Sequence, residues 1–195
     1  MEGGKSPATR QCILEAAQRL FASRGYHGAS IRDIVQACGV SNAALYYHFG
    51  SKQDLYFEVL GEYIAAVVEQ LQMADTGEGT CRSRLSRVAL AYAQIILKSQ
   101  SVLQTLLRDV AQFDREEIAR LLPDVSRQIP AAFAAILEEG ITAGEFRAVH
   151  TRHAGTLVMG MVNAMTVRRL HTQVETTLEE DADLVIEVLF EGIAI

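Results

Sequence analysis

The sequence predicts an all-α protein: an N-terminal three-helix helix-turn-helix domain over residues 1–50, followed by a C-terminal helical domain over residues 51–195. Three observations carry this reading. Apolar residues recur at the i, i+3, i+4, i+7 spacing of a helix face. The period-2 alternation of half-buried strands is missing. Only three prolines occur, Pro7, Pro123 and Pro130, so none interrupts residues 8–122. With 49% apolar and 22% charged residues in 195, the chain can bury a real core and is not of the disordered class.

The elements follow in order. Ser6 caps the first helix, with Pro7 at its first position, where a missing N–H costs nothing. Ile13, Ala16, Ala17 and Leu20 line its inner face, and Gly25 and Gly28 end it. Ser30 starts a second helix with Asp33 at capping-box spacing, and Ile31, Ile34 and Val35 face inward. Gly39 stops that helix, and Ser41 caps a short third one, Asn42 to His48. A fourth opens at Ser51, again with an acid three residues on (Asp54), and runs through Leu55, Val59, Ile64 and Val67 to about Met73. The turn cluster Asp75–Thr80 ends it. Beyond lie helices expected at 81–99, 102–112, 115–121, 124–143, 152–171 and 178–192. Pro130 is expected to kink or restart the helix it sits in, and Thr177 with Glu180 opens the last.

Composition narrows the function classes. No apolar run reaches the ~18 residues of a membrane span, and the first ten residues lack the apolar stretch of a signal peptide. Three cysteines (Cys12, Cys38, Cys81) stand far apart with no CxxC spacing, so a reduced, cytoplasmic setting is expected. The formal net charge is −6, unevenly spread. Residues 1–60 hold six Lys/Arg against five acids, and residues 61–195 hold twelve against nineteen. A polyanion can approach only the first part without general repulsion. No GxGxxG, P-loop, HExxH or GxSxG stretch is present, so no enzyme is expected and no cofactor is implied.

The segment 30–52, SIRDIVQACGVSNAALYYHFGSK, carries the chemistry. Two short helices join through Cys38–Gly39–Val40–Ser41, the layout of a helix-turn-helix. A third helix this short must be held by Ile34, Val35, Leu45 and Phe49 packing on the first. Its other face is left to enter a major groove. On that face Asn42 can pair with adenine N6 and N7. Ala43 and Ala44 permit close approach and methyl contact with thymine, and Tyr47 and His48 can reach phosphate or sugar. Tyr46 divides evenly between core and contact. Lys52, just after the Ser51 cap, joins a cation to the free amides of a helix start, a seat for phosphate. Arg32 can reach a phosphate or a guanine. Double-stranded DNA is the expected partner, with Ser41 the cap that orients the reading helix.

From Phe21 to Leu55 the pattern F-x-x-x-G-Y-x-x-x-S-I-x-D-I-x-x-x-x-G-V-S-x-x-x-L-Y-Y-H-F-x-S-K-x-x-L resembles the DNA-binding domain of the tetracycline-repressor (TetR/AcrR) family. The resemblance covers roughly residues 8–60. It implies a homodimeric transcriptional regulator, usually a repressor, released from its operator by a small ligand held in the C-terminal helices. One departure is local: Asn42–Ala43–Ala44 stand where many members carry a glycine and a threonine. The threonine's contact is lost, which places more weight on Arg32, Asn42 and Tyr47.

The C-terminal half is read more coarsely. The runs 157–167 and 184–190 are too apolar for surface helices. They suit a four-helix bundle between two copies, with Leu157, Met161, Met165, Leu184 and Val188 at the contact and Gly155 and Gly160 allowing close approach. Tyr63, Tyr92, Phe113, Phe133 and Met159 are candidates to line an effector cavity, with Met73 beside them, Asn163 as a polar group and Arg108 for an anion. The effector's identity is not readable, and for each residue ordinary core packing competes. A helical domain that binds another protein instead of a small molecule is the alternative, which a fully packed interior would favour. His150 and His153 share a spacing that suits a metal, but solvated histidines at a helix entry explain them better, so no metal is assigned. The fourth helix joins the two halves without a flexible linker and is the expected lever between them.

Overall fold

A computed structural model describes residues 6–99, 109–110, 112–114, 116–118 and 125–193. Every regular element among these is a helix: α1 (Pro7–Gly28), α2 (Ile31–Cys38), α3 (Asn42–Phe49), α4 (Lys52–Ala74), α5 (Cys81–Lys98), α6 (Val125–Thr142), α7 (Thr151–His171) and α8 (Leu178–Ile193). The helices expected at 102–112 and 115–121, and Pro123, fall mostly outside the described residues. The chain divides into two compact units, Met1–Tyr63 with Gln100–Pro123, and Ile64–Ser99 with Asp124–Ile195. The described residues of the 100–123 stretch therefore fold with the N-terminal helices.

In the first unit the local signals act as read. Ser6 accepts the Thr9 N–H at 3.2 Å, and Pro7 follows it. Gly25, at φ 72° and ψ 177°, breaks the helical path before Gly28. Ser30 and Asp33 close a reciprocal capping box, each backbone N–H meeting the other's side chain at 3.1 Å. These Ser30 hydrogen bonds hold the Asp33 carboxyl below its ordinary range. Gly39 takes the left-handed conformation (φ 66°, ψ 28°) that turns the chain from α2 toward α3. The core is Ile13, Leu14, Ala17, Phe21, Ile34, Leu45, Leu55 and Tyr56, all removed from solvent.

The second unit packs α6 along α7, with α5 and α8 beside them. Here Gly155 has a role other than the expected one. A Cβ at that position would lie 2.4 Å from the Pro130 carbonyl oxygen, so the glycine lets α7 approach α6 within one chain. Residue 155 is thus spent on the monomer's own packing. A Cβ at Gly160 meets nothing within 4 Å. Pro130 neither ends nor restarts its helix; α6 runs through it from Val125 to Thr142. Its ring removes one amide from the ladder, while the residue itself is buried beside α7.

The start of α5 is held electrostatically. Thr80 accepts the Ser83 N–H, and the Glu145 carboxylate accepts the Cys81 N–H at 3.0 and 3.2 Å. Arg84, largely buried, donates two parallel hydrogen bonds of 2.7 Å to Asp75 and a further one to Glu139. The Arg84 guanidinium lowers the Asp75 carboxyl below its usual range. A depressed folded value means stability that is full above the unfolded value near ~4 and is lost as pH falls through the folded one. Between about pH 5 and pH 3, urea melts of the wild type are expected to weaken more steeply than those of Asp75→Asn. Equal slopes would show that the pair adds nothing to folding.

Candidate nucleic-acid interface

The turn between α2 and α3 fixes how the third helix is presented. Ser41 caps α3 by accepting the Ala44 N–H at 3.2 Å. The helix buries Ala44, Leu45 and Phe49 against α1 and α2 and turns Ser41, Asn42, Ala43, Tyr46 and Tyr47 outward. Tyr46 is 48% and Tyr47 62% exposed, which puts Tyr46 on the outer face. His48 is half-buried and edge-on to Tyr47 at 5.2 Å. Arg32 is exposed on α2. Ala44 corrects the expectation: it is 9% exposed and belongs with Leu45 and Phe49 to the residues that α3 buries, since the short helix is covered over more than the single face of Leu45 and Phe49.

Lys52 stands at the start of α4 as expected, but it is not simply held out to solvent. Its ammonium lies 4.3 Å from the Tyr26 ring centroid, and the residue is half-buried. Burial lowers the ammonium's proton affinity, while the Asp109 carboxylate works the other way. Tyr26 sits in an aromatic cluster with Phe21 (6.3 Å), Tyr56 (5.1 Å) and Phe113 (5.0 Å), and its backbone N–H donates to Asp109 at 2.5 Å. Neither Tyr26 nor Asp109 was expected at the site. Tyr26 belongs to the motif, but Asp109 lies 83 residues away in sequence and no local pattern announces it.

The residues expected at an effector site are scattered. Phe113 packs into the first unit's aromatic cluster, 4.9 Å from Phe57. Tyr63, in the same unit, is half-buried. Tyr92 and Phe133 pack edge-on at 6.0 Å inside the second unit, where Met159 and Asn163 are half-buried on α7. Arg108 lies outside the described residues. A cavity of about 430 Å³ does open in the second unit, between α4, α5 and α6. Val68, Leu71, Val88, Ala131, Ala132, Ala135 and Ile136 form its apolar wall, with Gln72, Asp75 and Gln128 as its polar groups. None of the expected residues lines it.

The α7 and α8 candidates divide. Leu157 (62%), Leu184 (47%) and Val188 (53%) are exposed, and Val167 (49%) joins them. Met161 is half-buried; Met165, also half-buried, borders a small gap beside Ala93 and Thr166. His150 and His153 stack face to face at 3.9 Å, and no group of three metal-ligating side chains occurs among the described residues. The Cys38 thiol donates to the Cys12 carbonyl at 3.0 Å, and burial pushes it up to about 12. No described helix is long and apolar enough to cross a membrane.

A short helix held by its neighbours, capped at Ser41 and showing an amide and two tyrosines to solvent, is the reading head of a helix-turn-helix DNA-binding protein. The family model described as bacterial regulatory proteins, tetR family, matches residues 13–59, and that of a tetracyclin repressor-like C-terminal domain matches residues 78–167. The chain belongs to the TetR family of DNA-binding transcriptional regulators. It is 42% identical over 67 residues to the transcriptional repressor AcnR of Corynebacterium glutamicum, a match spanning 34% of this chain but only 36% of that repressor's length. To the repressor KstR2 of Rhodococcus jostii it is 26% identical over 144 residues, covering 74% of this chain and 70% of that one. The crystal structure of FadR from Bacillus subtilis in complex with stearoyl-CoA shares the fold, with a TM-score of 0.75 at 20% identity, covering 93% and 98% of the two chains.

Proposed function

We propose that this protein is a homodimeric repressor that binds a palindromic operator and is released by a small, largely apolar ligand. The observation that carries the reading is α3 itself, whose buried face fixes it to α1 and α2 while Asn42, Ala43, Tyr46 and Tyr47 are exposed on the opposite side, where a groove would meet them. One such helix reads only a few base pairs. Two copies related by a two-fold axis read half-sites about 34–36 Å apart or a multiple of that. The exposed stripe Leu157, Leu184 and Val188 suits that pairing. The mainly apolar cavity favours a small-molecule effector over a protein partner. FadR, crystallised with stearoyl-CoA, is a regulator of the same fold, and KstR2 and AcnR are named repressors. α4 has residues in both units, which makes it the proposed lever, and the setting is the cytoplasm.

The division of labour is testable. Binding sites are first selected from a random duplex library. Asn42→Ala is then expected to cost about 1–3 kcal/mol on the selected site and little on random DNA, because it removes a base-reading amide. Lys52→Ala is expected to weaken both alike and to flatten the salt dependence by about one unit of slope. If both variants lose equally on selected and random DNA, the assigned roles are wrong. If no site is selected, the operator reading fails.

A further inference from the structure

The residues behind Lys52 come from far along the chain. Asp109 is 3% exposed, accepts the Tyr26 N–H at 2.5 Å, and is carried by a segment whose Phe113 packs on Tyr26 and Phe57 at 5.0 and 4.9 Å. The Tyr26 ring in turn lies under the Lys52 ammonium at 4.3 Å. In the chain this segment falls between α5 and α6, two helices of the second unit, yet it folds with the first. A cation over an aromatic face, with a buried carboxylate fixed to the same tyrosine, has a seat of its own.

We propose that Asp109 is a positioning residue that sets the strength of DNA binding by holding the Lys52 ammonium on Tyr26, in competition with backbone phosphate. The inference rests on the DNA-binding reading above and assigns Lys52 a second, internal partner. A phosphate draws Lys52 off the ring only by overcoming the field of Asp109. Displacing the 109–113 segment alters that competition without touching a base-reading residue. The effect is therefore on affinity for every sequence and not on discrimination among sequences.

The test uses the full-length protein and a short random-sequence duplex. Asp109→Asn keeps an oxygen to accept the Tyr26 N–H and removes the charge at nearly constant shape. It is expected to tighten binding about fivefold, the scale of a partly exposed ion pair, to steepen the salt dependence, and to do neither in a Lys52→Gln background. A merely structural Asp109 predicts the reverse: weaker binding, a lower melting temperature, and the same loss whether or not Lys52 is present. Should Asp109→Asn fail to fold, the wild type supplies the readout. The Lys52 side-chain protons, shifted by the Tyr26 ring current, are expected to return toward ordinary positions when the duplex is added. Resonances that stay shifted in the complex overturn the proposal, as does unchanged or weaker binding by the folded variant. A wild type that binds no duplex overturns both this inference and the reading beneath it, whereas binding that ignores Asp109 overturns this inference alone.

Discussion

Leu157→Glu combined with Val188→Glu is expected to leave a folded monomer that binds a palindromic operator at least about 100-fold more weakly than the wild type, through loss of the second reading head. Both side chains are more than half exposed in the single chain, so replacing them removes little from its own core. In the proposed bundle between copies, each would bury a carboxylate against apolar neighbours with nothing to pair it. Sedimentation analysis reads the assembly state, and a melting curve reads the fold. Gly160 gives an independent check. A side chain there meets nothing within 4 Å in its own chain, so Gly160→Leu should leave the monomer intact while obstructing a partner helix at close range. Variants that stay dimeric would place the interface elsewhere and remove the geometric basis for a palindromic site.

The contrast between Gly155 and Gly160 marks how far a sequence can be read. Both lie on α7 and are given the same role by the sequence reading, yet five residues put them about 140° apart around the helix. What separates them is the Pro130 carbonyl, 25 positions earlier, against which residue 155 is pressed. Local chemistry was legible. The Ser30–Asp33 box, the left-handed Gly39 and the Thr177–Glu180 cap are set by contacts three residues apart, and the last helix, expected at 178–192, spans Leu178–Ile193. The outer face of α3 was mostly legible too, since periodicity and the motif agree on Asn42 and Tyr47. Ala44 is in the core although the sequence places it at the groove, because an alanine fits either setting and lies about 100° from Leu45 and about 140° from Phe49 around the helix, so the apolar phase does not place it. The lining of the cavity was not legible at all. Aromatic residues were expected there, but Tyr92 and Phe133 are consumed in packing on each other, and the apolar wall is made of Val68, Leu71, Val88, Ile136 and three alanines, residue types that also fill any helical core and so carry no signal of a cavity.

Altering Asp181 should be costly to the fold of the second unit. It is 3% exposed at the start of α8, where it accepts from Arg169 Nε at 2.5 Å and from the Thr176 hydroxyl at 2.8 Å, with Arg168 at 3.9 Å. Arg169 also donates to the carbonyls of Thr176 and Thr177, so one guanidinium ties the end of α7 to the connection and to the first turn of α8. Asp181→Asn leaves Arg169 largely buried without its counter-charge. Breaking one side of such a pair costs about 3 kcal/mol, a drop in Tm of roughly 6–12 °C for a chain of this size. Replacing both, as Arg169→Met with Asp181→Leu, should recover much of that loss, because no buried charge is then left alone. The double replacement is also the sharper probe of function. α7 and α8 carry Leu157, Leu184 and Val188, so a connection that is stable but differently set would shift the dimerisation constant while Tm recovers. If Asp181→Asn melts within about 1 °C of the wild type, the ion pair is ornamental, and the register of α7 on α8 is held by apolar packing alone, with Val162, Ala182 and Val185 buried around the small gap there.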